Sequence, residues 1–430
     1  MSQLAIFGGP KAIPHTLRRY RSMGADEKDA VAEVMDSDCL SGFYGSWGDE
    51  FLGGPKVKEF EAAWAARFGA KHAVSMNSAT SGLFAAMGAI GLGPGDEVIV
   101  PPYTMSATAM APLVYGGIPV FADVEDETFC IDVEAVRKAI SPRTRAIIAV
   151  NLFGHPARLH QLRALADEKG LVLVEDNAQG ITAQENGRYT GTIGHIGVFS
   201  LNYHKHIHTG EGGVCTTDDD DLALRLQMIR NHAENVVEPL DMKSFPSMIG
   251  FNYRLGELAA AIGLVQLRDA DKHIGRRVHL GQRLSEGLSD LEGLTVPKVR
   301  EGCTHAYYVW PARFDEKIIG VSRAVFSKAL AAEGFPHFTG YVRPLYRLPV
   351  FRQRIGYGKE GFPFTLTNRT YDGELCPVVE RLHERETLCF ETCMPDVTDS
   401  EIDQLIAAFR KVHAGRGELR RLASEERKRA

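Results

Sequence analysis

The stretch VFSLNYHKHIHTGEGGVCTTDD, residues 198–219, sets one lysine among three histidines, between a short apolar run and a glycine-rich turn. His204, His206 and His208 fall on alternate positions, so in an extended strand they would project from one face and offer a zinc site. No cysteine or acidic partner accompanies them in a recognised ligand pattern, and the expectation is that no metal is held here. The other use of the stretch is to let Lys205 react. It follows an apolar strand, and Ser200 stands five residues ahead of it.

The bulk of the chain narrows the choices. With 430 residues there is room for two domains, and 44% apolar with 24% charged residues is ordinary for a globular protein. A net charge of −6 and a pI near 6.2 argue against nucleic-acid binding or a membrane surface. The seven cysteines are widely spread with no C-x-x-C, which reads as a reduced complement rather than a disulfide framework. The opening MSQLAIFGGPKAIP lacks a basic region followed by an apolar run, and no stretch approaches the roughly 18 apolar residues of a membrane span. The expectation is a soluble, cytoplasmic protein.

From about residue 70, short apolar runs alternate with longer amphipathic segments. HAVSMN, DEVIVPP, IPVFADV, RAIIAVNLF, LVLVEDN and IGVFSL read as strands; TSGLFAAMGAIGL, VEAVRKAIS and ARLHQLRALADEKG read as helices between them. In the last, Leu159, Leu162, Leu165 and Ala166 share a helical face and Gly170 closes it. Such alternation predicts an α/β fold with a mostly parallel sheet covered on both faces. Near residue 255 the character changes to the periodicity of one long helix, followed by shorter elements that suggest a smaller C-terminal α+β domain. The expected division is an N-terminal arm over 1–30, a large domain over 31–265, a small domain over 266–415 and a charged tail, too polar to pack, over 416–430.

Two further segments bear on chemistry. Asp176, in LVLVEDNAQG, stands at the carboxyl end of an apolar strand, where open α/β sheets bind ligands; it is equally placed to cap a following helix. In SMNSATSGLFAAMGAIG, small polar residues between strand and helix leave backbone N–H groups free for an anion, or serve ordinary capping by Ser78 or Thr80. A phosphate turn, a carboxylate, a serine and a lysine, each at a strand end, are the parts that pyridoxal phosphate requires.

The same segments carry a family resemblance. IFGGPKAIP, LGGPKVKEFEAAWAARFGAKHAVSMNSATSGL, LGPGDEVIVPPYTMSAT, VEDNAQG, FSLNYHKHIHTGEGG and GFNYRLGELAAAIGLVQL resemble the DegT/DnrJ group of sugar and cyclitol aminotransferases. These are fold-type-I enzymes dependent on pyridoxal 5'-phosphate, with the aspartate aminotransferase-like fold. The resemblance implies that Lys205 forms the Schiff base and Asp176 pairs with the pyridinium nitrogen. It implies that Ala79 and Thr80 donate to the phosphate, helped by Ser200, that Gln179 lies near the phenolic oxygen, and that Ala178 lies against one ring face. Asn252 would reach the phosphate of a neighbouring subunit, so a homodimer with active sites at the interface is implied. Where the group usually carries a stacking aromatic residue this chain has Met105, whose polarizable sulfur can also pack on a ring; Tyr103 is an alternative contact.

Relatives that replace the lysine with histidine dehydrate sugars instead; Lys205 argues for amino transfer from glutamine or glutamate to a keto acceptor. Nucleotide-sugar relatives tend to carry a His-Tyr-Pro stretch where this chain has PHFTGYVRPLYRLPVF, which looks more like the enzymes that aminate free keto-cyclitols or make aminohydroxybenzoate. The expected substrate residues are Arg343 and Tyr346, with Arg347, and His204 beside the lysine; a solvated loop held by Pro344 and Pro349 is the alternative for the first three. SGFYGSWGDEFLGG is either part of the acceptor pocket or a glycine-rich surface loop. The competing functions are a nucleotide-sugar aminotransferase and a non-catalytic protein that binds the cofactor without turnover.

Overall fold

The computed structural model describes residues 3–240, 242 and 249–421. Seven strands form the central sheet, in the order His72–Met76, Gly213–Thr217, Ile196–Ser200, Val172–Asp176, Thr144–Val150, Glu97–Val100 and Ile118–Phe121. All pairings are parallel except those made by Gly213–Thr217, which runs antiparallel to both neighbours. The six expected strands are present. The antiparallel one went unread because GVCTT is short, non-alternating and buried along its whole length.

Helices cover both faces, and their ends follow from local chemistry. The helix Ala79–Ala89 starts at Ser78, whose hydroxyl accepts from Ser81 N–H at 3.0 Å. It lies close on the sheet because Gly82 has no side chain: a Cβ there would sit 2.8 Å from Val198 Cγ1. The helix Val133–Ala139 is capped by Asp132, and Leu159–Lys169 ends at Gly170 with φ of 64°. Its buried residues are the four expected ones, Leu159, Leu162, Leu165 and Ala166.

The expected single long helix is two, Glu257–Arg268 and Ala270–Leu288. They break at Asp269, whose carboxylate turns back onto Arg268 Nε at 3.0 Å and whose ψ of 7° leaves the helical region. The second helix bridges two apolar clusters: Ala270 and Ile274 pack with Phe60 and Trp64 in one, whereas Leu280, Leu284 and Leu288 pack with Trp310 and Phe409 in the other. Four antiparallel strands make the small sheet, in the order Leu294–Thr295, Val309–Phe314, Thr387–Glu391, Phe338–Thr339.

Residues 3–20 fold onto this small sheet and the helices around it. Ala5 and Ala12 N–H donate to the buried Glu333 carboxylate at 2.8 and 3.0 Å, Lys411 approaches it at 2.9 Å, and Arg18–Arg19 pairs with Pro395–Asp396. The tail also departs from expectation. Leu419 is buried in the small-domain core and Arg420 donates to the Ile319 carbonyl at 2.6 Å, because one leucine on the correct face is enough to seat a charged turn. Residues 422–430 lie outside the described residues.

Glu333 therefore fastens the arm. Replacing it with alanine is expected to destabilise the protein by about 3–5 kcal/mol, the cost of stripping one partner from a buried ion pair. Denaturant unfolding measures the loss, and protease cleavage should concentrate before Arg19.

Candidate active site

The carboxyl ends of three adjacent strands place the expected chemistry together. Asp176 is the last residue of its strand and is paired in register with Val150 on one side and Val198 on the other. It does not cap a helix, since a turn follows it. Instead its carboxylate accepts from the Thr108 hydroxyl at 2.7 Å and from Ala178 N–H at 3.2 Å. Burial pushes the carboxyl above its ordinary value, against those two hydrogen bonds and the charge of Lys205.

Lys205 lies in the turn after the strand Ile196–Ser200, with its N–H donated to the Asn202 carbonyl at 2.9 Å. Its ammonium sits 4.2 Å from the centroid of the Tyr308 ring, a cation–π contact from the small domain. Burial pulls its pKa down to about 8, opposed chiefly by Asp176 and also by Cys393 and Glu391. Glu391 is in turn pushed up by its own burial, with Lys205 pulling it down.

An anion cradle lies beside this pair. The first turn of Ala79–Ala89 leaves the Ala79 and Thr80 amides without intrahelical acceptors, while Ser81 and Gly82 are satisfied by Ser78. Ser200 and Gly213 face each other across the antiparallel pair. A Cβ on Gly213 would stand 2.6 Å from Ala79 N, so only glycine lets this strand approach the helix end. Ser200 Oγ accepts from Asn202 N–H at 3.4 Å.

Gln179 is buried, its oxygen accepting from Phe153 N–H at 2.8 Å and its nitrogen donating to the Tyr341 hydroxyl at 3.0 Å. Ala178 is half-buried. Met105 is 63% exposed, so in the single chain its side chain faces outward. Tyr103 is buried edge-on against Phe153 and Tyr341. Asn252 is exposed; its carbonyl accepts from Asn77 Nδ2 at 3.4 Å and its carboxamide oxygen from Arg254 Nε at 2.8 Å.

The histidines do not share a face, because residues 203–207 turn and bend instead of forming a strand. His206 is buried and hydrogen-bonds the Ala306 carbonyl at 2.9 Å, His208 meets Ser22 Oγ at 3.0 Å, and His204 lies near Tyr308. Burial pulls His204 to about 4 and His206 to about 3, so both are neutral at pH 7. Among the described residues no group of three or more His, Cys, Asp or Glu is placed to hold a metal ion.

Two expected substrate residues stand elsewhere. Tyr346 is fully buried against Phe121 and gives its hydroxyl to Glu380, so it has no free edge for a ligand. Arg343 is exposed beside Arg347 and Arg352, in a cavity of about 230 Å³ that none of the cofactor residues line. Arg347 is held by Glu380 and Glu384 at 2.7 and 2.6 Å. In the glycine-rich loop, Phe43 lies under the Arg230 guanidinium at 4.8 Å, while Tyr44 and Trp47 are exposed. Thr108, Tyr308 and Tyr341 were not read from sequence. None of the three has a local signal in the sequence.

A buried carboxylate, a lysine of lowered pKa and an anion cradle at one sheet edge fit pyridoxal phosphate: the cradle accepts a phosphate, and Asp176 suits a cationic ring nitrogen. The fold and this site define a pyridoxal-phosphate-dependent aminotransferase. The model of the DegT/DnrJ/EryC1/StrS aminotransferase family matches residues 23–387, and the chain belongs to that family. It is 32% identical over 399 residues to the spore coat polysaccharide biosynthesis protein SpsC of Bacillus subtilis (strain 168), covering 91% of this chain and 96% of that one. To GDP-perosamine synthase of Caulobacter vibrioides it is 33% identical over 332 residues, 76% of this chain and 85% of that one. The crystal structure of DesI with its TDP-sugar product superposes with a TM-score of 0.80 at 30% identity, covering 99% of both chains.

The lowered pKa of Lys205 has a measurable consequence. Its neutral, nucleophilic fraction grows as pH rises through about 8, well below an ordinary lysine. Borohydride trapping of added pyridoxal phosphate on Lys205, starting from cofactor-free protein, is expected to climb through a midpoint near pH 8 and to level off about one unit above it. Because Asp176 raises the lysine's pKa, Asp176→Asn should move that midpoint to lower pH.

Proposed function

We propose that this protein moves an amino group from glutamine or glutamate onto a keto-cyclitol or keto-sugar, as a cytoplasmic homodimer with its sites at the subunit interface. The observation that carries this reading is that buried Lys205 and buried Asp176 stand at one sheet edge, near enough to feel each other's charge, with the Tyr308 ring 4.2 Å from the lysine. When bound, pyridoxal phosphate supplies the electron sink that lets an amino group and a hydrogen change carbons. The Ala79 and Thr80 amides and Ser200 hold the phosphate, and Asn252 of a second copy joins them. Asp176, kept from water and oriented by Thr108, favours a protonated ring nitrogen. Lys205 would hold the cofactor, and its amine, with a pKa of about 8, is placed to carry a proton between the donor carbon and the cofactor. Ala178 would lie against one ring face and Gln179 near the phenolic oxygen, while Met105, exposed in the single chain, would have to turn inward to cover the ring.

The stretch FTGYVRPLYRLPVF, without His-Tyr-Pro, supports a free keto-cyclitol as acceptor. The second reading, a nucleotide-linked keto-sugar, is supported by the names of the relatives, GDP-perosamine synthase and DesI with its TDP-sugar. Among the described residues no helix is long and apolar enough to cross a membrane.

Purified protein loaded with pyridoxal phosphate is expected to lose its visible absorption band on addition of L-glutamine or L-glutamate. Keto acceptors should restore it, free cyclitols faster than nucleotide-linked sugars. Lys205→Ala is expected to lower turnover by at least about a thousandfold, as loss of both attachment and proton transfer. A band that no amino donor changes would instead indicate cofactor binding without amino transfer.

A further inference from the structure

A groove of about 680 Å³ lies between the N-terminal arm and the edge of the small sheet. That volume suits a small-molecule ligand. Its walls are fixed: Ile13 N–H donates to the Glu333 carbonyl at 2.9 Å, Tyr20 N–H to the Met394 carbonyl at 2.8 Å, and the Tyr20 ring lies 4.0 Å from the Arg277 guanidinium. The floor is apolar, from Ile13, Leu17, Phe338 and Phe390, and Glu391 is the one carboxylate in the lining.

Three contacts lead from the groove to the cofactor residues. Glu391 is near enough for Lys205 to feel its charge. Phe338 meets Tyr341, ring centroids 6.4 Å apart, and Tyr341 holds Gln179. The Arg19 guanidinium lies 5.7 Å from the Tyr203 centroid, and Tyr203 packs edge-on against His204, next to Lys205.

The cations of the groove differ in how they are answered. His15 meets Glu401 at 3.0 Å and Arg18 meets Asp396 at 4.0 Å. Among the described residues no carboxylate pairs with Lys11 or Arg19, and of these only Arg19 touches the loop that carries the lysine. An exposed guanidinium 5.7 Å from a tyrosine ring, with no carboxylate on its fork among the described residues, suits a carboxylate or a phosphate.

We propose that this groove is a substrate subsite and that Arg19 binds an anionic group of the substrate there. The inference rests on the aminotransferase reading above. The anion has two sources, the carboxylate of the amino donor or a phosphate on the keto acceptor. A free cyclitol carries no anion, so under the leading reading the occupant is the donor.

The test compares Arg19→Met, which keeps the apolar stem, with Arg19→Lys and the unaltered enzyme, all loaded with cofactor. The two half-reactions are followed separately by visible absorbance, and binding of glutarate and of inorganic pyrophosphate is measured by calorimetry. Arg19→Met is expected to raise the half-saturation concentration of the anionic substrate at least about tenfold, and Arg19→Lys to raise it less. A rise confined to glutamine and glutamate, with weakened glutarate binding, assigns the donor carboxylate. A rise confined to the acceptor, with weakened pyrophosphate binding, assigns an acceptor phosphate. If neither half-reaction nor either probe distinguishes the variants, or if neither probe binds the unaltered enzyme, the subsite is refuted. Should no amino donor convert the cofactor, the aminotransferase reading falls, while probe binding still decides the groove.

Discussion

Two opposite charges are withheld from water at one edge of a parallel sheet, and the rest of the site depends on their mutual support. Either alone would be costly: a buried charge stripped of its partner costs several kcal/mol. Asp176 is pushed up by burial and Lys205 is pulled down by it, so each offsets part of the desolvation of the other. The register that aligns Val150, Asp176 and Val198 sets where the carboxylate ends, and the Thr108 hydroxyl fixes its direction. A residual imbalance, a lysine near pKa 8, is what makes the pair reactive rather than inert.

The antiparallel strand solves a different constraint. A phosphate needs bare amides at a helix end, yet that end must be backed by protein so that water does not compete. Inserting Gly213–Thr217 between two strands that run the other way brings its first residue against Ala79 N. The same glycine-rich turn therefore ends the lysine loop and completes the cradle. Two needs are met by one short stretch, which is why it reads so densely in sequence.

Legibility followed the range of the forces. The parallel strands and the Leu159–Lys169 helix are set by local runs of apolar residues and could be read directly, whereas Lys205 and Asp176 stood out only as members of a set of residues at strand ends. The break at Asp269 hinges on one carboxylate turning back on its neighbour, a contest that periodicity does not reveal. The resemblance of its stretch implies Tyr346 at the substrate; its burial follows from Phe121 and Glu380, both far away in sequence. Tyr308 and Tyr341 reach the site from the small domain, and nothing near them in the chain announces it. Leu419 was lost in a charged tail because a single apolar residue gives no period.

The histidines that flank Lys205 fit this picture as anchors. Each of the three points to a different part of the fold: His206 to the Ala306 carbonyl, His208 to Ser22 of the arm, and His204 to Tyr308. Neutral rings suit that task, since a charge on buried His206 would need a counter-ion that the core does not offer. The lysine loop is thereby tied to the small domain on two sides and to the arm on the third. Glu333 secures the start of that arm, and Arg18–Arg19 continues it along Pro395–Asp396. The position of the reactive amine is thus set as much by the N-terminal segment and the small sheet as by the strand that precedes it, and any displacement of the arm must be felt at Lys205.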